Sequence, residues 1–157
     1  MARFLLSTHL QGAFIFLMAI LLSGCGKPTG LAEQETLTVS FQDGGAGTST
    51  AYEYSGMVTI VAEGQGQAAG AKWSDPFYIY TDEDGQKIAP WHPTEYYNWS
   101  LWINGEQVDS FIESIPPYNS NHIYEFTINA PGGYLAFAVG DTATSDNNGY
   151  FTITIFK

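Results

Sequence analysis

The chain has 157 residues, enough for one domain and too few for two of ordinary size. It carries 16 acidic against 5 basic side chains, a net charge of −11 that repels phosphate backbones and argues against nucleic acid as a partner. Aromatic residues reach 15 % while charged ones stay at 13 %, and there is one cysteine, which excludes an internal disulfide.

The first segment reads as an address rather than as fold material. Arg3 gives a short basic start, and residues 13–22 are an unbroken apolar run. That run has the length of a signal-peptide core and is too short to span a bilayer. It ends in Leu22-Ser23-Gly24-Cys25, which resembles the lipobox of bacterial prolipoproteins. The resemblance implies cleavage before Cys25, diacylation of its thiol and acylation of the freed amine. Residues 1–24 are then a signal peptide, and Cys25 is the lipidated anchor. Two or three acyl chains hold a protein at a membrane stably where one binds only marginally. Gly26, rather than Asp, beside the cysteine resembles the outer-membrane address of Gram-negative lipoproteins. An ordinary secretory signal with an incidental cysteine is the alternative. Residues 25–35 contain Lys27-Pro28-Thr29-Gly30 and little apolar material, so they are expected to be a flexible tether reaching up to roughly 35 Å. Only Arg3 among the charged residues precedes Cys25, so the remainder carries −12.

Residues 36–157 show short apolar or alternating runs and no helical stripe. Strands are expected at 37–41, 57–62, 77–81, 99–103, 108–112, 123–128, 134–139 and 151–156. Asp84-Gly85 and Asn104-Gly105 are two-residue hairpin signals. Pro116-Pro117, Pro131-Gly132-Gly133 and Asn147-Asn148-Gly149 end other runs. About eight short strands so punctuated predict an all-β fold, an antiparallel β-sandwich or jelly roll.

Enzyme signatures are missing. There is no Gly-x-Ser-x-Gly, no His-Glu-x-x-His and no phosphate loop, and the one cysteine is assigned to lipid. His92 and His122 lack the spacing of a zinc site. Residues 91–99, Trp-His-Pro-Thr-Glu-Tyr-Tyr-Asn-Trp, form the densest aromatic stretch. Trp91, Tyr96 or Tyr97 would offer flat faces to the apolar side of a pyranose, while Trp99 is expected in the core. Asp82-Glu83-Asp84-Gly85 reads as a solvated hairpin tip rather than an EF-hand loop.

Three ordered segments resemble the LecA-type galactophilic lectins of bacteria. They are Met57-Val58-Thr59-Ile60-Val61-Ala62-Glu63-Gly64 with Ala71-Lys72-Trp73, Phe126 through Asp141, and Asp146-Asn147-Asn148-Gly149-Tyr150-Phe151-Thr152-Ile153. The resemblance implies a galactose-binding-like jelly roll. It also implies a calcium ion held by Asp141, a carbonyl near Thr144, and either Asp146-Asn147 or Asn147-Asn148, with a further carbonyl near Ala68 or Ala69. Carboxylate, amide and carbonyl oxygens on one loop suit calcium, and the same residues equally suit a plain turn. His92-Pro93-Thr94-Glu95 is similar to the lectins' sugar loop, which implies ligand contacts from His92 and Glu95, with Trp91 and Tyr97 beside them. The expected function is therefore a membrane-anchored, non-catalytic, carbohydrate-binding domain using calcium. The alternative is a structural or protein-interaction lipoprotein of the envelope with neither site.

Overall fold

A computed structural model describes residues 30–93 and 99–157. The described portion is mostly β and antiparallel, as the alternation and turn chemistry predict. Its strands are β1 (Glu33–Ser40), β2 (Thr48–Ala68), β3 (Lys72–Ser74), β4 (Ile79–Thr81), β5 (Lys87–Trp91), β6 (Leu101–Ile103), β7 (Glu106–Gln107), β8 (Ile123–Val139) and β9 (Asn148–Phe156).

The 21-residue β2 organises the sheet. One of its edges is covered by β8, from Thr48↔Phe137 to Glu63↔Ile123, and then by β3, through Gly66↔Ser74. Its other edge takes β9, from Thr59↔Phe156 to Gln67↔Asn148, and β9 in turn takes β1. Beyond β3 lie β4 and β5, and beyond β8 lie β6 and β7. The sheet curls until β1 returns to the start of β2. There Thr48 Oγ1 donates to the Thr38 carbonyl at 2.8 Å, and Glu35 Oε1 accepts from the Ala51 amide at 2.6 Å.

Period two decides what the curl encloses. Val39, Ile60, Ile128, Phe137, Ile153 and Ile155 point inward with no accessible surface, and the alternation is clearest on β1 and in the middle of β9, while Thr59, Ala138 and Phe156 are buried as well. Burial of each large side chain is worth about 1.5–3 kcal/mol. Phe41 and Phe151 meet edge to face at 4.8 Å, and Phe77 packs edge-on against Tyr124 and Phe126 at 5.0 and 5.4 Å. Trp99 is buried, as expected.

Three expectations need correction. Residues 108–112 form a 3-10 turn over Val108–Phe111 in place of a strand, with Val108 buried in the core and Phe111 and Ile112 packed partly buried against it. Residues 123–128 and 134–139 are a single strand, β8, in which Pro131-Gly132-Gly133 bends the chain without reversing it. The partner strand bends at the same level, where the register slips between Ser49 and Glu53 and again before Ser55, and so pairing continues around the corner. Finally, β5 was not expected: all five of its residues are exposed, so it shows no alternation, and Pro90 suits an edge strand. The Asn104-Gly105 hairpin forms as expected, both residues at positive φ (51° and 83°) between paired Ile103 and Glu106.

Candidate functional site

The loop between β8 and β9 draws two of its oxygen-bearing side chains together. Asp141 Oδ1 accepts from the Ala143 amide at 3.0 Å, and Oδ2 accepts from Asn147 Nδ2 at 3.0 Å. The same Nδ2 donates to the Phe41 carbonyl at 2.9 Å, so the amide bridges two acceptors. Asn147 is only 4 % exposed, and its Oδ1 is buried with no donor among the described residues. That orphaned oxygen fits a hard cation. The other three residues turn elsewhere. Asp146 Oδ2 takes the Gly70 amide at 3.1 Å, tying the loop to the β2–β3 turn. The Thr144 carbonyl accepts from the Asn147 amide at 3.2 Å, and Asn148 opens β9, paired with Gln67. Among the described residues no three of His, Cys, Asp or Glu gather closely enough to hold an ion.

The aromatic loop is divided. Trp91 ends β5, 38 % exposed. His92 faces inward: Nδ1 lies 2.8 Å from the Phe77 carbonyl and Nε2 lies 3.2 Å from Asp109 Oδ2. As placed, the ring pins the chain after β5 to the 3-10 turn. Glu95 and Tyr97 lie outside the described residues, as does Cys25.

Two features escaped the sequence reading. The first is a buried polar hub under the β3–β4 connection. Asp75 has no accessible surface and accepts four hydrogen bonds. Oδ1 takes the Phe77 and Tyr78 amides at 2.9 and 2.7 Å, and Oδ2 takes His122 Nδ1 at 2.9 Å and the Tyr124 hydroxyl at 2.7 Å. Burial pushes the Asp75 carboxyl above its ordinary value, against these hydrogen bonds, which pull it down. Burial likewise raises the hydroxyls of Tyr80 and Tyr124, with Asp75 adding to the shift. His122 sits at φ 55°, an unusual conformation for a residue with a side chain, and its ring stacks on Tyr80 at 4.7 Å. Asp75 and His122 lie 47 residues apart, and no local pattern joins them.

The second is a shallow cleft of about 440 Å³ on the outward face of β2, β3 and β9. It is lined by Glu63, Gln65, Trp73, Asn121, Tyr150 and Thr152, with Gly64 and Ile123 at its floor and edge. The pairs Glu63↔Thr152 and Gln65↔Tyr150 place these side chains on one face, because the alternate positions Phe151 and Ile153 fill the core. Tyr150 is 56 % exposed. The Tyr80 hydroxyl donates to Gln65 Oε1, which ties the cleft to the hub through the Tyr80–His122 stack. The lining thus combines two aromatic rings with a carboxylate, two amides and a hydroxyl, a composition suited to a polar ligand with an apolar face. No family model, no curated protein and no solved structure matches the chain.

Proposed function

We propose that this protein is a lipid-anchored component of the cell envelope, held at the membrane through Cys25, whose β domain binds carbohydrate without catalysis. In a Gram-negative cell the anchor would lie in the outer membrane. The observation that carries the reading is the cleft between Trp73 and Tyr150, where aromatic surface and unengaged polar groups share one concave face. Sugars present both kinds of surface at once: axial C–H groups that rest on a ring, and hydroxyls that donate and accept. The cleft takes the place of the aromatic loop as the preferred site, since His92 is occupied internally.

The full-length lipoprotein, in a detergent with no sugar headgroup, is expected to bind glycans on an array and in calorimetric titration. Removing a stacked tryptophan anchor costs about 2 kcal/mol, so Trp73→Ala should weaken binding roughly 30-fold. Equal affinity of Trp73→Ala and wild type would move the site elsewhere. No binding to any glycan would leave the structural or interaction lipoprotein as the better reading.

Calcium enters as a second reading, favoured by the orphaned Asn147 Oδ1. In that reading Asp141, Asn147 and the Thr144 carbonyl hold the ion, and Asp146 and Asn148 join only by leaving their present partners. A ligand that binds only the folded state stabilises it by about 2.7 kcal/mol at a hundredfold excess over Kd. Calcium should then raise the melting temperature, a chelator should reverse the rise, and Asn147→Leu should abolish it. A melting temperature indifferent to both additions removes the metal.

A further inference from the structure

We infer that the Trp73–Tyr150 cleft is selective for neutral pyranosides and rejects glycans bearing carboxylates, with Glu63 and Gln65 as the discriminating pair. This rests on the carbohydrate reading and specifies its ligand class. The lining contains no cationic side chain and one carboxylate, Glu63. Ionised, that group only accepts hydrogen bonds, so it calls for a hydroxyl that donates. Gln65 has the opposite polarity. Its Oε1 is taken by the Tyr80 hydroxyl, which leaves the NH2 as the group offered to a ligand. Neither the Glu63 carboxylate nor the Gln65 NH2 has a hydrogen-bond partner among the described residues. The two side chains stand two residues apart on β2, about 6.6 Å along the strand and on the same face. An uncharged sugar ring meets such a pair with two different hydroxyls, one giving its proton to Glu63 and the other accepting from Gln65. A uronate or sialate would bring its carboxylate against Glu63, within a chain already at −11.

The orientation of Gln65 is imposed from beneath. Tyr80 is fixed by stacking on His122, and His122 is fixed by Asp75. Tyr80 is therefore a positioning residue, since without its hydroxyl the amide is free to present either end.

The test uses matched pairs that differ only at C6: methyl galactoside against methyl galacturonoside, and methyl glucoside against methyl glucuronoside. They are titrated into the full-length lipoprotein in detergent with no sugar headgroup. The neutral member of at least one pair should bind about tenfold tighter or more, the scale expected for a like-charge contact. Glu63→Gln should shrink that ratio to within about threefold by improving the acidic member, and Trp73→Ala should weaken both members alike. Tyr80→Phe should weaken the neutral glycoside several-fold while leaving unchanged the deoxy analogue that lacks the hydroxyl facing Gln65. A merely structural role for Tyr80 would weaken both. Acidic members binding as well as neutral ones, or a ratio untouched by Glu63→Gln, overturns the selectivity and leaves the carbohydrate reading standing. Absence of binding to either pair and to the wider array overturns both.

Discussion

Replacing Asp75 with alanine should lower the free energy of unfolding by about 3–5 kcal/mol, the scale for removing one partner from a buried charged network. That is a large share of the 5–15 kcal/mol typical of a small domain. The size follows from what the carboxylate serves. The Phe77 and Tyr78 amides, the His122 ring and the Tyr124 hydroxyl all donate to it, and all lose that acceptor when it goes. His122 also loses the contact that offsets its left-handed backbone. Asp75→Asn keeps the volume and one acceptor oxygen, but its NH2 must face donors, so a smaller cost of about 1–3 kcal/mol is expected. Urea unfolding followed by tyrosine and tryptophan fluorescence measures both. The pH dependence has a definite sign. Burial raises the Asp75 carboxyl, so the folded state binds its proton more tightly than the unfolded chain does. The stability contributed by that proton is complete below the ordinary aspartate range and is lost as pH rises through the raised value. The advantage of wild type over Asp75→Asn should therefore be greatest in acid and shrink across that window. An advantage that grew with pH would show that the hydrogen bonds outweigh desolvation.

The strands that line the core on one side of the sheet were legible because their alternation is local. Leu37 and Val39 on β1 with Phe41 just beyond its end, and Phe151, Ile153 and Ile155 on β9, each announce a buried face without reference to the rest of the chain. Asn104-Gly105 announces its turn for the same reason. Failures came where a distant partner decides the outcome. Pro131-Gly132-Gly133 has the chemistry of a reversal, yet β2 runs alongside and bends with it, so the ladder continues. Val108 and Phe111 looked like a strand because both are apolar, but only Val108 is fully buried, and Phe111 packs against the margin of the core from a 3-10 turn. The site divides in the same way. Asp141 and Asn147 share one short loop, which put both on the candidate list, but that they face each other is seen only in the structure. The cleft was not readable. Alternation shows that Tyr150 and Thr152 face outward, but only register sets them against Gln65 and Glu63, some 90 residues earlier in the chain.

That register has a weak point at Gly149, and Gly149→Ala should expose it with a loss of about 2–5 kcal/mol, from backbone strain and overpacking together. Gly149 holds φ 94°, where a side chain is strained, and an added Cβ would lie 2.5 Å from the Gln65 carbonyl oxygen and 2.6 Å from Gly66 Cα. Both obstacles are backbone, so no rotamer relieves them. Nor can β2 retreat toward the core, because the Phe41 ring already packs against Gly66 where a Cβ would stand. Alanine must therefore push β9 off β2 at the pair that carries Tyr150 and Gln65. Gly105→Ala is the control: φ is 83°, but no atom lies within 4 Å, so only the cost of the conformation, about 1–2 kcal/mol, is expected. The excess of Gly149→Ala over Gly105→Ala in urea unfolding measures the close approach itself, and equal losses would mean that strand spacing plays no part. Glycan titration under conditions where both variants remain folded extends the comparison to function. Gly105→Ala should bind as wild type does, and Gly149→Ala should bind several-fold more weakly, because the two walls of the cleft are held together by the contact that its methyl group forces apart.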